Sequence, residues 1–344
     1  MEKVLGVGII GAGLIGEKRA KALKEVKGSK LIAVSDLDLD KAQSFAKEYG
    51  CLNLNIEQLL SNKNIQIVII AVPNKFTASL AIKALQNGKY ILCEKPFGIN
   101  SRESLNIISA ARRNKCLVKV GFNHRYHAGI WRAKEIFDKG GIGKILFIRA
   151  RYGYGGRLGM EKEWRMNKAI SGGGELLDQG VHIIDLARWF AGDFKEVYGL
   201  IETKFWKTDV DDNAFVILKN KNVTVSFHVS STNWKNIFSF EIFGDMGFLT
   251  VHGKGGSYGV ETLTFGKRKK EFGVPEIKVF KFKKDTSWIE EWKNFLGAIN
   301  KKNNLIGDSE DGFRANRLVE AIYESSKSGS SVKIDRDVIS KISS

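Results

Sequence analysis

The sequence predicts two domains: an α/β domain with a doubly wound parallel sheet, then an α+β domain with a large, mostly antiparallel open sheet. Two observations lead to this prediction. Over the first 125 residues, short apolar runs alternate with helical stretches, which is the order of β-α-β units. After Leu146 the apolar runs follow one another closely and are separated by Gly, Asn and Asp, which is typical of antiparallel strands joined by short turns.

Length and composition agree with two folded domains. The chain has 344 residues, 43% of them hydrophobic and only 3 of them proline, whereas one domain takes about 150 residues. No uncharged apolar stretch reaches the roughly 18 residues of a membrane-spanning helix. The N-terminus lacks the basic head and cleavage site of a signal peptide. Three irregularly spaced cysteines, without a Cys-x-x-Cys pair, disfavour a disulfide framework or zinc site and favour the cytoplasm.

The formal net charge is +17, and the excess is spread along the chain. Residues 1–120 carry +9 and residues 121–344 carry +8. The densest basic clusters lie at residues 267–270 and 278–284, and the second is typical of the solvated face of a strand. Neither an RNP-type aromatic signature nor zinc-finger spacing accompanies them. A dedicated nucleic-acid function is therefore disfavoured, whereas attraction of anionic ligands is expected.

The alternation in the first part of the chain predicts nine elements. Strands are expected over residues 4–10, 31–35, 65–72, 90–93 and 117–120, and helices after residue 16 and over 38–49, 78–85 and 101–113. The strands are almost continuously apolar rather than alternating, which indicates a sheet that helices cover on both faces.

The run Gly11-Ala12-Gly13-Leu14-Ile15-Gly16 follows the first predicted strand and opens the first predicted helix, and Asp36 ends the second strand. In this context the glycine pattern becomes the fingerprint of a Rossmann dinucleotide-binding domain. Gly11 would allow the tight turn, Gly13 the approach of a pyrophosphate, and Gly16 the packing of helix on strand. The helix N-terminus would then face the phosphates. The alternative is a plain β-α turn in which Asp36 caps the next helix.

Asp36 also bears on the choice of dinucleotide. A carboxylate at this position would accept hydrogen bonds from the adenosine ribose and would repel a 2′-phosphate. No Arg or Lys follows it before Lys41. NAD is therefore predicted as the cofactor in preference to NADP.

Several further motifs are spaced along the chain. They are Val72-Pro73-Asn74, Cys93-Glu94-Lys95-Pro96, Gly121-Phe122-Asn123-His124-Arg125-Tyr126, Trp164-Arg165, the run from Gly172 to Asp185, and Ile322-Tyr323-Glu324-Ser325-Ser326. In this order, over almost the whole length, they resemble the Gfo/Idh/MocA family of sugar and polyol dehydrogenases, which includes glucose–fructose oxidoreductase and inositol dehydrogenase. Val72 stands where a threonine is common and Thr77 where a histidine is common. These two departures weaken the assignment of the substrate more than the assignment of the reaction class.

The resemblance implies a set of cofactor-binding residues. They are Gly11, Gly13, Leu14, Ile15, Asp36, Pro73, Asn74, Glu94, Lys95, Asn123, Trp164 and Arg165. Physical expectation agrees, because doubly wound sheets bind ligands at the carboxyl ends of their strands. Lys95 lies two residues after the strand predicted over residues 90–93, so its ammonium could stabilise a substrate oxygen as it becomes alkoxide-like. The alternative is a surface lysine at a strand end.

A helix predicted over residues 172–190 carries Asp178 and His182, four residues apart, and such a spacing places both on one face. A carboxylate beside a histidine can fix its tautomer and raise its basicity, as a general base for alcohol oxidation requires. The segment matches the family's Asp-x-Gly-x-His signature, which implies catalysis by Lys95, Asp178 and His182. A metal site is the competing hypothesis, but no third ligand with suitable spacing is evident, and no metal is predicted. A local ion pair is the structural alternative.

The predicted substrate-binding residues are Lys95, Arg125, Tyr154, Asp178 and His182. The stretch from Arg151 to Arg165 holds three arginines and a lysine among glycines and aromatic residues. A basic loop of this kind could bind a carboxylate or a diphosphate, which would favour an acidic sugar or a nucleotide sugar.

The domain boundary is predicted near residue 123, with a dinucleotide-binding domain over residues 1–123 and a substrate and oligomerisation domain over 124–344. Strands are expected over 146–152, 197–205, 214–218, 223–229, 238–243 and 248–251, and later helices over 287–299 and 312–326. The last helix is a candidate to pack back on the first domain. The open face of the second sheet is a candidate surface for a homodimer or homotetramer, as the resemblance implies.

Together these features predict an NAD-dependent oxidoreductase that transfers a hydride between nicotinamide and a secondary hydroxyl or ketone of a sugar, nucleotide sugar or cyclic polyol. Two alternatives stay open. One is a glycosidase that uses tightly bound NAD on the same fold. The other is a non-catalytic sensor that only binds a dinucleotide. An intact set of Lys95, Asp178 and His182 disfavours the sensor, because a binder needs none of this chemistry.

Overall fold

The computed structural model describes residues 4–334, and the first part of the chain alternates between strand and helix. The elements are β1 (Leu5–Ile10), α1 (Leu14–Lys24), β2 (Ser29–Ser35), α2 (Leu39–Tyr49), β3 (Leu52–Asn53), α3 (Ile56–Ser61), β4 (Ile67–Ile70), α4 (Asn74–Gln86), β5 (Tyr90–Cys93), α5 (Ser101–Arg113) and β6 (Val118–Val120). The short elements β3 and α3 are additional to the prediction. α2 begins where predicted, since the Asp38 side chain accepts a hydrogen bond from the backbone N–H of Lys41.

Within the described residues, the strands of this region form a six-stranded sheet in the order β3-β2-β1-β4-β5-β6, and every neighbouring pair is parallel. All residues of β1 and of β4 are buried, as expected when helices cover both faces of a sheet. The predicted doubly wound parallel sheet is confirmed.

The rest of the described chain is richer in strands. Its elements are α6 (Ala128–Asp138), β7 (Ile145–Gly153), α7 (Lys168–Ser171), α8 (Val181–Ala191), β8 (Glu196–Glu202), β9 (Asn213–Lys219), β10 (Thr224–Ser230), β11 (Ile237–Gly244), β12 (Gly247–His252), β13 (Glu261–Lys267), β14 (Glu276–Phe282), α9 (Ser287–Ile299), α10 (Ser309–Ser328) and β15 (Val332–Lys333). A turn of π-helix, Leu176–Gly180, precedes α8 directly.

These strands form a nine-stranded sheet among the residues described, in the order β14-β13-β12-β11-β7-β10-β9-β8-β15. Only the pair of β7 and β10 is parallel. The alternation expected in β10 is present: Val225 and Phe227 are buried, whereas Ser226 between them is exposed. The prediction of a large, mostly antiparallel open sheet is confirmed.

Contacts between backbone positions divide the described chain into two units. The first unit contains residues 4–123 and 288–316, and the second contains 124–287 and 317–334. Residues 288–316, which the sequence prediction placed in the second domain, thus group with the first unit. Trp292, Phe295 and Leu296 of α9 pack in the same core as Val7 and Ile69. The predicted domain ends, at residues 1–3 and 335–344, lie outside the described residues.

Candidate active site

Because the first sheet is parallel, the carboxyl ends of its strands lie at one edge. Most of the predicted cofactor residues follow these ends: the glycine run follows β1, Asp36 follows β2, Pro73 and Asn74 follow β4, Glu94 and Lys95 follow β5, and Asn123 follows β6. The strand order reverses between β1 and β4, which is the position where doubly wound sheets bind ligands. The predicted residues of the first unit are therefore brought together at this edge.

The three glycines of the fingerprint differ in what surrounds them. Gly11 has a φ of +106°, and a Cβ there would lie 2.2 Å from the carbonyl oxygen of Ala71. At Gly16 a Cβ would lie 2.0 Å from the carbonyl oxygen of Gly11. Both glycines are thus required by the fold itself. A Cβ at Gly13 would meet nothing within 4 Å, so that position is open for a ligand.

Asp36 supports the turn between β1 and α1, which carries Gly11 and Gly13. Its Oδ2 accepts a hydrogen bond of 2.7 Å from the backbone N–H of Ala12, and its Oδ1 accepts one of 2.9 Å from that of Asp38. The next helix is capped by Asp38, not Asp36, which removes the alternative explanation of Asp36. Each carboxylate oxygen can accept more than one hydrogen bond, so Asp36 can hold the loop and still accept from a ribose hydroxyl.

The residues of this edge fit an NAD molecule. The N-cap of α1 is Gly13, and among the described residues no side-chain hydrogen bond caps this helix end, so phosphate oxygens can accept from its first N–H groups. A groove of about 520 Å³ lies beside it, lined by Ala12, Gly13, Leu14 and residues of α1 and α2. The open position at Gly13, the uncapped helix and the carboxylate of Asp36 match the requirements of a pyrophosphate and a ribose.

A buried group of charged side chains lies behind Glu94. Arg19 on α1 donates from Nε to Glu94 Oε1 at 2.7 Å and from Nη1 to Glu291 Oε2 at 2.5 Å. Lys119 Nζ lies 3.4 Å from Glu291 Oε1 and also donates to the carbonyl oxygen of Ile306. The Arg19 guanidinium stacks over the Trp288 ring at 4.4 Å. We call Arg19, Glu94, Glu291 and Lys119 the charge cluster.

The charge cluster holds Glu94, the residue that precedes Lys95, in place. Burial raises the pKa of Glu94, and the neighbouring Arg19 opposes this effect. Only Glu94 in the cluster retains some solvent exposure, 12% of its side chain. A Cβ at Gly121 would lie 2.7 Å from Glu94 Oε2, so a glycine there leaves room for the carboxylate. Glu94 is therefore held from behind and accessible from one side.

In the second unit, the helix that carries Asp178 and His182 starts later than predicted. Gly172 has a φ of +83° and ends α7, and the helical stretch opens with the π-turn that contains Asp178, followed by α8 with His182. The prediction of a regular helix from residue 172 is wrong at this end. Single π-turns of this kind often occur at functional sites.

Asp211 anchors the start of this stretch. Its carboxylate accepts hydrogen bonds from the backbone N–H groups of Gly174 at 2.9 Å and Leu176 at 2.7 Å, and from the Tyr323 hydroxyl at 2.6 Å. A Cβ at Gly174 would lie 2.1 Å from the Asp211 carbonyl oxygen, and one at Gly173 would lie 2.5 Å from the Tyr323 hydroxyl. The glycines before the helix thus allow Asp211 and Tyr323 to reach its first turn.

Arg165 and Asp178, two predicted site residues, form an ion pair at this turn. The buried His182 lies beside a second histidine, His124. Arg165 Nε is 3.7 Å from Asp178 Oδ2, and the Arg165 guanidinium lies 4.5 Å from the centre of the Trp164 ring. The His182 ring stacks on the His124 ring with centroids 3.7 Å apart. Both histidines are buried. Contact with His124 therefore limits how the His182 ring can rotate.

Three tyrosines of the second unit lie within the electrostatic field of Glu175 and Asp178. Burial, together with the negative charges of Glu175 and Asp178, raises the pKa of Tyr154 and that of Tyr152. The same causes raise the pKa of Tyr258 to about 12. These hydroxyls consequently stay protonated at neutral pH and can donate hydrogen bonds. The second unit thus offers an imidazole, carboxylates and phenols, a set suited to binding hydroxyl groups and moving a proton.

Two predictions for basic residues are changed by the structure. Arg125 donates to both oxygens of Asp185, at 2.8 and 2.6 Å, and both side chains are buried. This geometry favours a structural role for Arg125 over contact with substrate.

In the basic loop, Arg157 forms a bidentate pair with Glu163 at 2.7 and 2.5 Å. Arg151 is exposed on β7, next to the buried Tyr152 that points to the opposite face. A concentrated anion site in this loop is thus not supported.

Several residues of the site were missed in the sequence. Arg19 could have been found from the helical periodicity. It shares the face of Gly16, Ala20 and Leu23, which packs on the sheet, so its charged side chain must be buried. Its partner Glu291 lies 272 positions away and carries no local signal. The same is true of Asp211, whose hydrogen bonds to residues 174 and 176 join different elements.

Metal clusters and membrane-spanning helices are both absent from the described range. Across residues 4–334, no group of three or more His, Cys, Asp or Glu side chains is placed to hold a metal ion. Of the helices in the same range, none combines the length and the apolar character needed to cross a bilayer.

Comparison with protein families gives two matches. A model described as an oxidoreductase family with an NAD-binding Rossmann fold, the N-terminal domain of Gfo/Idh/MocA proteins, matches residues 5–122. A model of the GFO/IDH/MocA C-terminal domain matches residues 130–250.

Curated relatives and a solved structure are similar over most of the chain. A levoglucosan dehydrogenase of Pseudarthrobacter phenanthrenivorans is 28% identical over 72% of this chain and 73% of its own length. A glucose-6-phosphate 3-dehydrogenase of Bacillus subtilis is 29% identical over 92% of this chain and 95% of its own. A solved structure of levoglucosan dehydrogenase in complex with NADH and levoglucosan has a TM-score of 0.89 and 24% identity, and covers 97% of this chain and 100% of its own. That structural likeness concerns the fold.

Proposed function

Because the chain belongs to the Gfo/Idh/MocA family of oxidoreductases and begins with an NAD-binding Rossmann domain, we propose that it oxidises a secondary hydroxyl of a sugar, sugar derivative or cyclic polyol, or reduces the corresponding ketone. The observation that carries the proposal is the second unit's acid–base set, Asp178 and His182 on one anchored helical stretch, beside tyrosine hydroxyls suited to a polyhydroxylated ligand. Curated relatives named as sugar dehydrogenases support the substrate class.

In the proposed reaction, His182 accepts the proton of the substrate hydroxyl. Asp178 stabilises the imidazolium that forms, since a nearby carboxylate favours the charged form of a histidine. Lys95 stabilises the negative charge that develops on the substrate oxygen. The nicotinamide that these residues would hold would supply the hydride acceptor for the carbinol carbon. For each hydroxyl oxidised to a ketone, one proton would be left on His182, and in ketone reduction His182 would return that proton to the oxygen.

The proposed cofactor residues divide by the part of the cofactor they serve. The backbone of Gly11 to Ile15 would bind the phosphates and Asp36 the adenosine ribose. The remaining proposed contacts follow the family resemblance: Pro73, Asn74, Glu94, Lys95, Asn123, Trp164 and Arg165. The ion pair of Arg165 with Asp178 gives Arg165 a second proposed role, since it also places the carboxylate.

For substrate binding we retain Lys95, Tyr154, Asp178 and His182. Arg125 is left out because it is buried against Asp185. The paired arginine of the 151–165 loop favours a simple sugar or polyol over a nucleotide sugar.

We also propose self-association through the open face of the nine-stranded sheet. Apolar side chains on β8 and β9 are 43–48% exposed there, and they pair across the strands: Tyr198 with Ile217, and Leu200 with Phe215. A contiguous exposed apolar surface of this kind often marks an interface.

Titration of the dialysed protein with NADH and with NADPH tests the proposal, read as energy transfer from tryptophan to the reduced nicotinamide. Micromolar affinity for NADH, with much weaker binding of NADPH, is the expected result. NAD-linked oxidation of sugars and polyols is then measured. Absence of binding by both dinucleotides, with no cofactor released on denaturation, would contradict the proposed function.

A further inference from the structure

The connection between β12 and β13 is a glycine-rich loop, Gly253-Lys254-Gly255-Gly256-Ser257-Tyr258-Gly259. It lies beyond residue 250, where the family's C-terminal match ends. All four of its glycines have positive φ, between +55° and +85°, a conformation that other residues adopt with strain. The backbone of this loop is therefore specified by glycine, and among its side chains Lys254 and Tyr258 offer charge and an aromatic hydroxyl. We call it the glycine loop of the second unit.

The loop places both side chains beside Tyr152, which in turn contacts the buried His124. Lys254 Nζ lies 4.4 Å from the centre of the Tyr258 ring and 5.3 Å from that of Tyr152. Centroids are 5.7 Å apart between Tyr258 and Tyr152, 5.3 Å between Tyr152 and His124, and 3.7 Å between His124 and His182. A continuous row of rings thus leads from the loop to the proposed base. The row is buried at His182, His124 and Tyr152 and partly accessible at Tyr258.

The two tyrosines at the accessible end are in edge contact, with their ring planes 62° apart. Burial, together with the charges of Glu175 and Asp178, raises the pKa of Tyr258 to about 12, so its hydroxyl keeps its proton at neutral pH. Because Tyr258 is partly accessible, this hydroxyl can donate a hydrogen bond to an acceptor on a ligand. A sugar or polyol hydroxyl is a suitable one, because it can accept this proton and donate its own to a carboxylate.

Charges of both signs lie around this end. Lys254 and Arg165 supply two positive charges, and Glu175 and Asp178 supply two negative ones whose field reaches Tyr154 and Tyr258. A phosphate or carboxylate on the substrate would be repelled by Glu175 and Asp178, whose charges act on Tyr258, and it would lose its hydration on binding. The Lys254 ammonium, which lies over two aromatic faces, instead restrains the Tyr258 ring through cation–π attraction.

We propose that Tyr258 binds a substrate hydroxyl remote from the oxidised carbon, that Lys254 positions the Tyr258 ring, and that the glycine loop thereby restricts the site to uncharged polyhydroxylated rings. This inference rests on the proposed function and adds to it the substrate class and the residues that select it. Tyr258 is a specificity residue, and Lys254 is a positioning residue.

The test compares NAD-linked oxidation of D-glucose, myo-inositol, D-glucose 6-phosphate and D-glucuronate by the wild type, Tyr258→Phe and Lys254→Met. We expect the wild type to oxidise at least one neutral compound with a kcat/KM at least about tenfold above those of the two anions. Tyr258→Phe should raise the KM for that compound about tenfold, the value of one lost hydrogen bond, and change kcat by less than about threefold. Lys254→Met should shift KM in the same direction by a smaller factor.

Tyr90→Phe is the matched control, because Tyr90 is a partly buried tyrosine at the amino end of β5 and lies outside the row. It should leave KM and kcat unchanged, and thermal unfolding should be the same for all variants. An unchanged KM in Tyr258→Phe overturns the inference while leaving the proposed function intact. Preference for the phosphorylated or carboxylated sugar, abolished by Lys254→Met, overturns it as well. If the wild type binds NADH but oxidises none of the four compounds, the inference is overturned; if it also binds neither NADH nor NADPH, the proposed function fails with it.

Discussion

Gly13 and Gly16 stand three positions apart, yet they are glycines for different reasons. Because a Cβ at Gly13 meets only open space, Gly13→Ala should leave the thermal unfolding of the cofactor-free protein unchanged and weaken NADH binding about tenfold or more by obstructing the phosphates. Gly16→Ala forces a Cβ to 2.0 Å from a backbone oxygen and should lower the melting temperature by several degrees. The measurements are thermal unfolding and NADH titration of both variants.

The opposite pattern, with Gly13→Ala unstable and Gly16→Ala harmless, would contradict the assignment of the open position to the cofactor. The two variants serve as controls for each other, since both add one methyl group to the same glycine run, Gly13 at the N-cap of α1 and Gly16 in its first turn.

For the proposed chemistry, Lys95→Met and His182→Ala should each lower kcat by about 10²-fold or more, because each removes a group that acts on the transferred proton or the developing charge. NADH affinity should stay within a few-fold of the wild type in His182→Ala. Steady-state kinetics and NADH titration check both expectations. A variant with unchanged turnover would remove that residue from the mechanism.

Asp212 links stability to pH. Burial favours a higher pKa for this carboxyl, but hydrogen bonds from the backbone N–H groups of Lys204, Phe205 and Trp206 outweigh it and lower the pKa below its ordinary value. The folded pKa is thus below the unfolded one. The resulting stabilisation is present above about pH 4 and is lost as the pH falls through the folded value.

Asp212→Asn should therefore lower the free energy of unfolding by about 2 kcal/mol at pH 7, and the difference from the wild type should shrink below about pH 4. Urea denaturation at pH 7 and pH 3.5 measures it. Asp209→Asn is the control, because Asp209 is exposed and accepts a single bond of 3.2 Å. An effect of Asp212→Asn that is constant with pH would contradict the ionised hydrogen-bond network.

At the scale of elements, the charge cluster connects α1, the end of β5, β6 and α9. Arg19→Met leaves two carboxylates buried with reduced compensation and should cost about 3–5 kcal/mol of stability. In the double variant Arg19→Met/Glu291→Gln the loss should be smaller than the sum of the two single losses, because the partners are in direct contact. Chemical denaturation of the three variants measures this coupling.

Lys18→Met is the matched control, since Lys18 is the exposed neighbour of Arg19 on the same helix and should change stability by less than about 0.5 kcal/mol. Strict additivity of Arg19→Met and Glu291→Gln would show that the cluster does not act as a unit.

Elements with strong local signals were predicted best. β5 and α5 have the predicted bounds. The apolar run of β5 and the N-cap and amphipathic pattern of α5 are all contained in the local sequence. The π-turn was not predicted, because the apolar pattern from Leu176 to Phe190 also satisfies an ordinary helix. What selects the observed backbone is Asp211, some 35 positions further along the chain, which fixes Gly174 and Leu176. Candidate site residues followed from motifs, whereas their supports required the folded chain.

For the whole molecule, the apolar side chains on the open sheet face predict association. Light scattering coupled to size exclusion should show a dimer or tetramer, and Leu200→Lys/Phe215→Lys should yield a monomer, because it places two charges on adjacent strands of that face. Leu158→Lys, at a fully exposed loop position, should leave the mass unchanged. A monomeric wild type would contradict the proposed interface.

The division of the chain into units has a consequence for biosynthesis. The first unit lacks Glu291 and the core residues Trp292, Phe295 and Leu296 until residues 288–316 have been made. At roughly 5–20 residues per second, a ribosome needs about 10–40 s to pass from residue 123 to residue 316. During that interval the nascent first unit has an open hydrophobic core and a buried arginine without one of its carboxylates. Nascent chains of this protein are thus expected to be clients of ribosome-associated chaperones for longer than chains whose nucleotide-binding domain is contiguous.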